Sequence, residues 1–209
     1  MQTIYIYVLD TLADWEIGYL TSEMNSGRFF KKDAKQIEIK MVSDTKSPIS
    51  TMGGLTIVPD CLVADILVNQ ASLLVLPGAE TWHDPKHVAI IEKASALLAV
   101  GATVAVICGA TVAAANAGLL DSRRHTSNGP GFLDMFSLDY KGQSYYVEAP
   151  SVADDHLMTA SSTGALLWTK QIIEQLDVFQ SDTLAYWYDY FRTGDVSHFY
   201  ALMATLPVQ

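Results

Sequence analysis

The chain has 209 residues, 50% of them hydrophobic and 17% charged, which is enough apolar material to fill one core and leads to the expectation of one domain over 1–209. Its 13 Lys and Arg against 23 Asp and Glu leave a net charge of −10, which argues against a phosphate-backbone footprint on nucleic acid. No unbroken apolar run reaches the roughly 18 residues of a membrane span, and no basic stretch precedes the apolar N-terminus, so a cytoplasmic protein without membrane contact is expected.

The predicted elements alternate. Thr3–Asp10 opens as a β-rich apolar run, continuous enough for a strand covered on both faces. An acidic helix follows from Asp14 to about Ser26, with Asp14 expected as its N-cap. Residues 37–43 alternate as a second strand, and Gly53-Gly54 marks a hairpin or loop. Cys61, after Pro59-Asp60, is expected to be partly buried at a helix start. Residues 73–77 read as a buried strand, 85–100 as a helix led by Pro85, and 103–107 as another buried strand that runs straight into Cys108.

A helix over 111–117 is closed by Gly118, and 120–131 is a polar loop. Strands are expected at 144–148 and 156–160. A helix from Gly164 to Leu176 should turn Leu166, Leu167, Ile172, Ile173 and Leu176 inward. The region 180–209 reads as a helical extension whose aromatics between Tyr186 and Tyr200 serve core or subunit packing. Strands that alternate with helices of this length imply βαβ units and a mainly parallel sheet.

Chemistry concentrates at Ala105-Val106-Ile107-Cys108-Gly109-Ala110-Thr111. A buried strand ends there in Cys and small residues, and a helix starts at once. This is the form of a nucleophile elbow, in which small neighbours permit the sharp turn and the helix N-terminus favours thiolate. The alternative is a small buried residue at a strand end. Pro77-Gly78-Ala79, after the adjacent strand, is a turn whose amides, with that of Gly109, could receive a developing oxyanion.

Four blocks, Ala13-Asp14-Trp15-Glu16, Leu76-Pro77-Gly78-Ala79, Ile107-Cys108-Gly109-Ala110 and Gly118-Leu119-Leu120-Asp121, in this order and spacing, resemble the ThiJ/PfpI superfamily, relatives of the class I glutamine amidotransferases. The resemblance implies an α/β fold, a flavodoxin-like three-layer sandwich, with a reactive Cys and assembly as a homodimer. It also implies that Glu16 reaches the Cys108 sulfur, where a protonated carboxyl would lower the thiol pKa and an ionised one would raise it.

The departures are equally specific. Gly109 stands where many peptidase-like members carry His, and Ser161-Ser162-Thr163-Gly164 contains no His-x-Glu pair, so ordinary glutaminase chemistry is not expected. Asn128 occupies the place where other members draw a His from the loop, and His125 comes three residues early. In an extended segment these two face opposite sides, so only one can point at Cys108 without a bulge. His125 is the candidate general base, and Asn128 the candidate for orienting a substrate amide or carbonyl.

His83 and His87 are four apart, but Pro85 between them starts the helix and leaves His83 outside, and no phosphate-binding loop occurs. No metal and no cofactor are expected. Two functions remain open: a cysteine-dependent enzyme acting on a small amide or carbonyl compound, of amidase, peptidase or aldehyde-detoxifying type, or a non-catalytic sensor in which an oxidant converts Cys108 to the sulfinate.

Overall fold

The computed structural model describes residues 1–207. Its strands are Gln2–Tyr7 (β1), Ile37–Ser43 (β2), Ile49–Ser50 (β3), Thr56–Ile57 (β4), Cys61–Leu62 (β5), Ala71–Leu76 (β6), Thr103–Ile107 (β7), Ser151–Asp154 (β8) and Leu157–Ala160 (β9). Seven of them form one sheet in the order β5-β2-β1-β6-β7-β9-β8. All neighbours are parallel except β8 and β9. The central strands β1, β6 and β7 are the continuous apolar runs, because a strand covered on both faces needs apolar side chains at every position.

The helices are Asp14–Ser26 (α1), Val88–Ala99 (α2), Ala110–Asn116 (α3), Phe132–Phe136 (α4), Ala165–Leu176 (α5), Ser181–Thr193 (α6) and Val196–Ala204 (α7). From β1 the chain crosses through α1 to β2 on one side, and from β6 it crosses through α2 to β7 on the other. Right-handed crossovers in opposite directions place α1 and α2 on opposite faces. Helix α5 packs beside α1 and against β8 and β9, while α3 packs on β7. The strand order reverses between β1 and β6, and at such a switch point the carboxyl ends of the strands leave a crevice.

The terminal helices are tied to this frame. Trp187 of α6 is fully buried, and its indole N–H donates to Glu23 Oε1 at 3.0 Å. Glu23, itself buried, also receives Arg28. Tyr19 and Phe191 close edge to face beside Trp187, so part of the aromatic tail is core packing, whereas Tyr200 stays exposed. Residues 208 and 209 of the expected extension lie outside the described residues. No described helix is long and apolar enough to cross a membrane.

Several expectations are corrected. Residues 144–148 do not form a strand: Gln143–Tyr145 is a 3-10 turn, and only Tyr146 pairs, by a single bridge to His125. The strand antiparallel to β9 begins at Ser151, across a turn at Asp155 with φ +55°. Asp14 does not cap α1. Ala13 occupies the N-cap, and the Asp14 carboxylate accepts the Gly53 N–H at 2.6 Å, which fastens the β3–β4 hairpin to the start of the helix. Cys61 begins the edge strand β5 rather than a helix, and it is half-buried. On α5, Trp168 and Thr169 point inward while Leu166 and Leu167 are only half-buried.

Candidate active site at the end of β7

The carboxyl ends of three neighbouring strands converge here. Glu16 comes from the first turn of α1 after β1, Gly78 follows β6, and Cys108 follows β7. Cys108 has φ +56°, a left-handed conformation that a non-glycine residue adopts only where its surroundings impose it. The Cys108 N–H remains anchored to Ala160 O at 2.9 Å, and Thr111 N–H returns to Cys108 O at 3.0 Å. The side chain is therefore turned off the strand over the sheet edge, half-buried, at the start of α3.

Glu16 is fully buried. Its Oε2 accepts the Gly78 N–H at 2.6 Å, while Oε1 is buried with no hydrogen-bond partner among the described residues. A Cβ on residue 78 would stand 2.7 Å from Glu16 Oε2, 2.8 Å from Oε1 and 2.8 Å from Cys108 Cβ. Only glycine lets the carboxyl and the cysteine crowd the same point. The Gly78 amide is thus spent on Glu16 and is withdrawn from the expected oxyanion hole. The Ala79 N–H has no acceptor among the described residues, and its nitrogen would lie 3.9 Å from a Cβ on Gly109. The Ala79 N–H therefore remains open beside the elbow, while the Gly109 N–H faces the Cys108 sulfur.

Asn128 approaches the sulfur from the other side, with Nδ2 donating to Cys108 Sγ at 3.4 Å. Its Oδ1 accepts the Ser162 N–H at 2.8 Å, and since a backbone N–H can only donate, the amide must present its NH2 to the sulfur. Trp15, half exposed, donates its indole N–H to Ser162 O at 3.3 Å and so braces the same turn. Sequence reasoning missed Ser162 and Trp15, because one acts through a backbone amide and the other through a lip of the crevice.

His125 does not join this group. It is fully buried, with Nδ1 facing Arg123 O at 2.6 Å and Nε2 facing the Tyr140 hydroxyl at 2.6 Å. A carbonyl only accepts, so Nδ1 carries the proton and Nε2 accepts from Tyr140. Both nitrogens are engaged away from Cys108, and the expectation of a histidine base is corrected accordingly. The alternation of an extended segment sends Asn128 to the sulfur and His125 to the opposite side.

The ionisations follow from burial. Burial pushes the Cys108 thiol up to about 11; the Glu16 charge adds to this, and the Asn128 and Gly109 N–H groups pull against it. Burial likewise raises Glu16, opposed by the Gly78 N–H and by Cys108. Burial thus disfavours the charged form of both groups.

His87 and His125 are both held below the ordinary imidazole range, by burial first. An unfolded chain binds protons at both below pH ~6.5, and the folded chain refuses them. Folding stability is therefore expected to fall as pH drops through that value, by up to about 1.4 kcal/mol per pH unit for each histidine. Urea midpoints at pH 7.5 and 5.5 measure this, and an unchanged midpoint would contradict neutral burial of both rings.

His83 and His87 have separate partners. His83 Nδ1 lies 3.1 Å from Glu80 O, and His87 Nδ1 lies 2.7 Å from the Tyr7 hydroxyl. No three His, Cys, Asp or Glu side chains gather to hold a cation among the described residues.

Residues 2–175 match the model of the DJ-1/PfpI family. The chain is 42% identical over 208 residues, covering 99% of both proteins, to a Bacillus subtilis (strain 168) protein named uncharacterized protease YoaZ. It superposes on a thiJ/pfpI family protein from Bacillus anthracis with a TM-score of 0.94 at 41% identity, covering 99% of this chain and 98% of that one. A DJ-1 superfamily protein from Agrobacterium tumefaciens, Atu0886, shares the fold at a TM-score of 0.81 and 24% identity, over 93% of this chain and 99% of that one. With the family model matched over residues 2–175 and a relative 42% identical over 99% of its length, this chain belongs to the DJ-1/PfpI family.

Proposed function

We propose that the protein hydrolyses a small amide or peptide bond with Cys108 as nucleophile. The observation that carries this reading is a cysteine held at φ +56° against a buried carboxyl whose second oxygen has no partner. Such an oxygen is placed to take the thiol proton as sulfur bonds to the carbonyl carbon. Burial raises the Glu16 pKa, a direction that suits a group that must first accept a proton and then return it to the leaving amine. The Ala79 and Gly109 amides would receive the oxyanion, and the Asn128 NH2 would hold the substrate beside the sulfur. Water then cleaves the thioester, losing its proton to Glu16, and the thiol is restored.

The protease name of the Bacillus subtilis relative supports the same class of reaction. The oxidant-sensing alternative would instead make Cys108 the site of oxidation to the sulfinate, and selective oxidation there in a protein without turnover would favour it. The test is turnover of a panel of amino-acid amides and short peptides by the wild type, Cys108→Ala and Glu16→Gln. Turnover retained by Cys108→Ala would overturn the reading.

A further inference from the structure

The buried His125 acts as a clip between two segments. His125 N–H donates to Tyr145 O at 3.2 Å, Val147 N–H donates to His125 O at 2.8 Å, and the Thr126 hydroxyl donates to Ala149 O at 2.8 Å. This parallel register, set by the bridge from His125 to Tyr146, carries Glu148 alongside Ser127 and Asn128. Asn128, Tyr146, Glu148, Ser161, Ser162 and Thr163 consequently line one depression of about 330 Å³. Its volume is at the small end of small-molecule sites. Asn128 joins it directly to Cys108 Sγ.

The charge lining this depression has one sign. Glu148 is exposed and has no ion-pair or hydrogen-bond partner among the described residues, and no Lys or Arg lines the space. Hydroxyls, the Tyr146 ring, Pro130 and Pro150 form much of the remaining wall. A carboxylate without a counter-charge, beside neutral donors, attracts a cation and repels a substrate carboxylate or phosphate.

Resting on the hydrolase reading above, we propose that this depression selects substrates carrying a positively charged amino group next to the bond that is cut, with Glu148 as the counter-charge. A free peptide N-terminus or an amino-acid amide has this chemistry. Glu148 is a specificity residue here; it does not touch the reacting atoms.

The test labels the thiol without requiring turnover. In a Cys61→Ser background of the full chain, Cys108 is treated with aminoethyl, methyl and sulfonatoethyl methanethiosulfonate. The Cys108 thiolate attacks the thio sulfur, an S–S bond forms, and methanesulfinate leaves with the electron pair, so no outside oxidant is needed. Rates are divided by those of a free thiol to remove intrinsic reactivity. The cation-over-anion ratio is expected to fall about three- to tenfold in Glu148→Gln at low salt, and to shrink in the parent protein at high salt. Asp182→Asn on α6 is the control that should leave it unchanged.

A ratio unaffected by Glu148→Gln, or a preference for the anionic reagent, would overturn the inference. Equal hydrolysis of cationic and neutral amides would overturn it as well, while leaving the hydrolase reading intact. Conversely, charge selectivity that depends on Glu148 in a protein that hydrolyses no amide supports Glu148 as the counter-charge for a cationic ligand and sinks the hydrolase reading alone.

Discussion

Glu16→Gln is expected to lower kcat/KM on an amide substrate by about 10²- to 10⁴-fold while making the Cys108 thiol more acidic. The two effects have one cause. The amide side chain can still accept the Gly78 N–H through its carbonyl oxygen, so the local fold is kept. It cannot take a proton from the thiol or return one to the leaving amine, and turnover falls. The negative charge that helps to raise the thiol to about 11 is also gone, so its pKa moves down toward the ordinary value near 8.5.

Alkylation by iodoacetamide at pH 8 should therefore speed up as catalysis slows. A structural defect would change both measurements in ways unrelated to charge, whereas proton exchange between the two groups predicts opposite signs. Slower alkylation with unchanged turnover would contradict the arrangement. Cys108→Ala, which leaves the carboxyl but no nucleophile, is expected to lose at least about 10³-fold.

Gly78→Ala is the second large effect. The added Cβ would meet both Glu16 oxygens and Cys108 Cβ at 2.7–2.8 Å, closer than non-bonded atoms tolerate. Glu16 cannot yield easily, since it is fully buried and holds the amide of the very residue that has grown. Overpacking of this kind costs about 1–3 kcal/mol. For a chain of this size that lowers Tm by roughly 2–4 °C per kcal/mol. Turnover should fall with it, because the displaced carboxyl no longer lies beside the sulfur.

Thermal melts followed by circular dichroism, paired with kinetics, measure both effects. Gly18→Ala on α1 is the matched control: its Cβ would enter open space, and the better helix former should be neutral or mildly stabilising. Wild-type melting and turnover in Gly78→Ala would show that the crowding carries no energy.

Much of the frame is legible in the chain. The strands β1, β6 and β7 announce themselves as unbroken apolar runs, because burial on both faces is written into each residue of the strand. The elbow is legible for a similar reason. A sharp turn after a buried strand needs small residues, and Cys108-Gly109-Ala110 supplies them.

Residues 144–148 misled, since Tyr145, Tyr146 and Val147 have strand composition but their backbone partner is His125 in a loop, not another strand. Asp14 looked like a cap from its position alone, yet its hydrogen bond goes to Gly53, a partner that local pattern does not name.

The same division runs through the site. Spacing by itself placed a cysteine at the end of a buried strand and ruled that Asn128 and His125 could not both face it; that an acid from the first helix belonged near the cysteine came from the resemblance to the family. Only the tertiary structure decided how the polar groups paired. The Gly78 amide went to Glu16 instead of an oxyanion, Ser162 oriented Asn128, and Tyr140 drew His125 away. The physical reason is that burial is a property of each residue's own face, encoded in local periodicity. A hydrogen bond, by contrast, belongs to two segments, and which loops meet above the sheet is set by the packing of the whole chain.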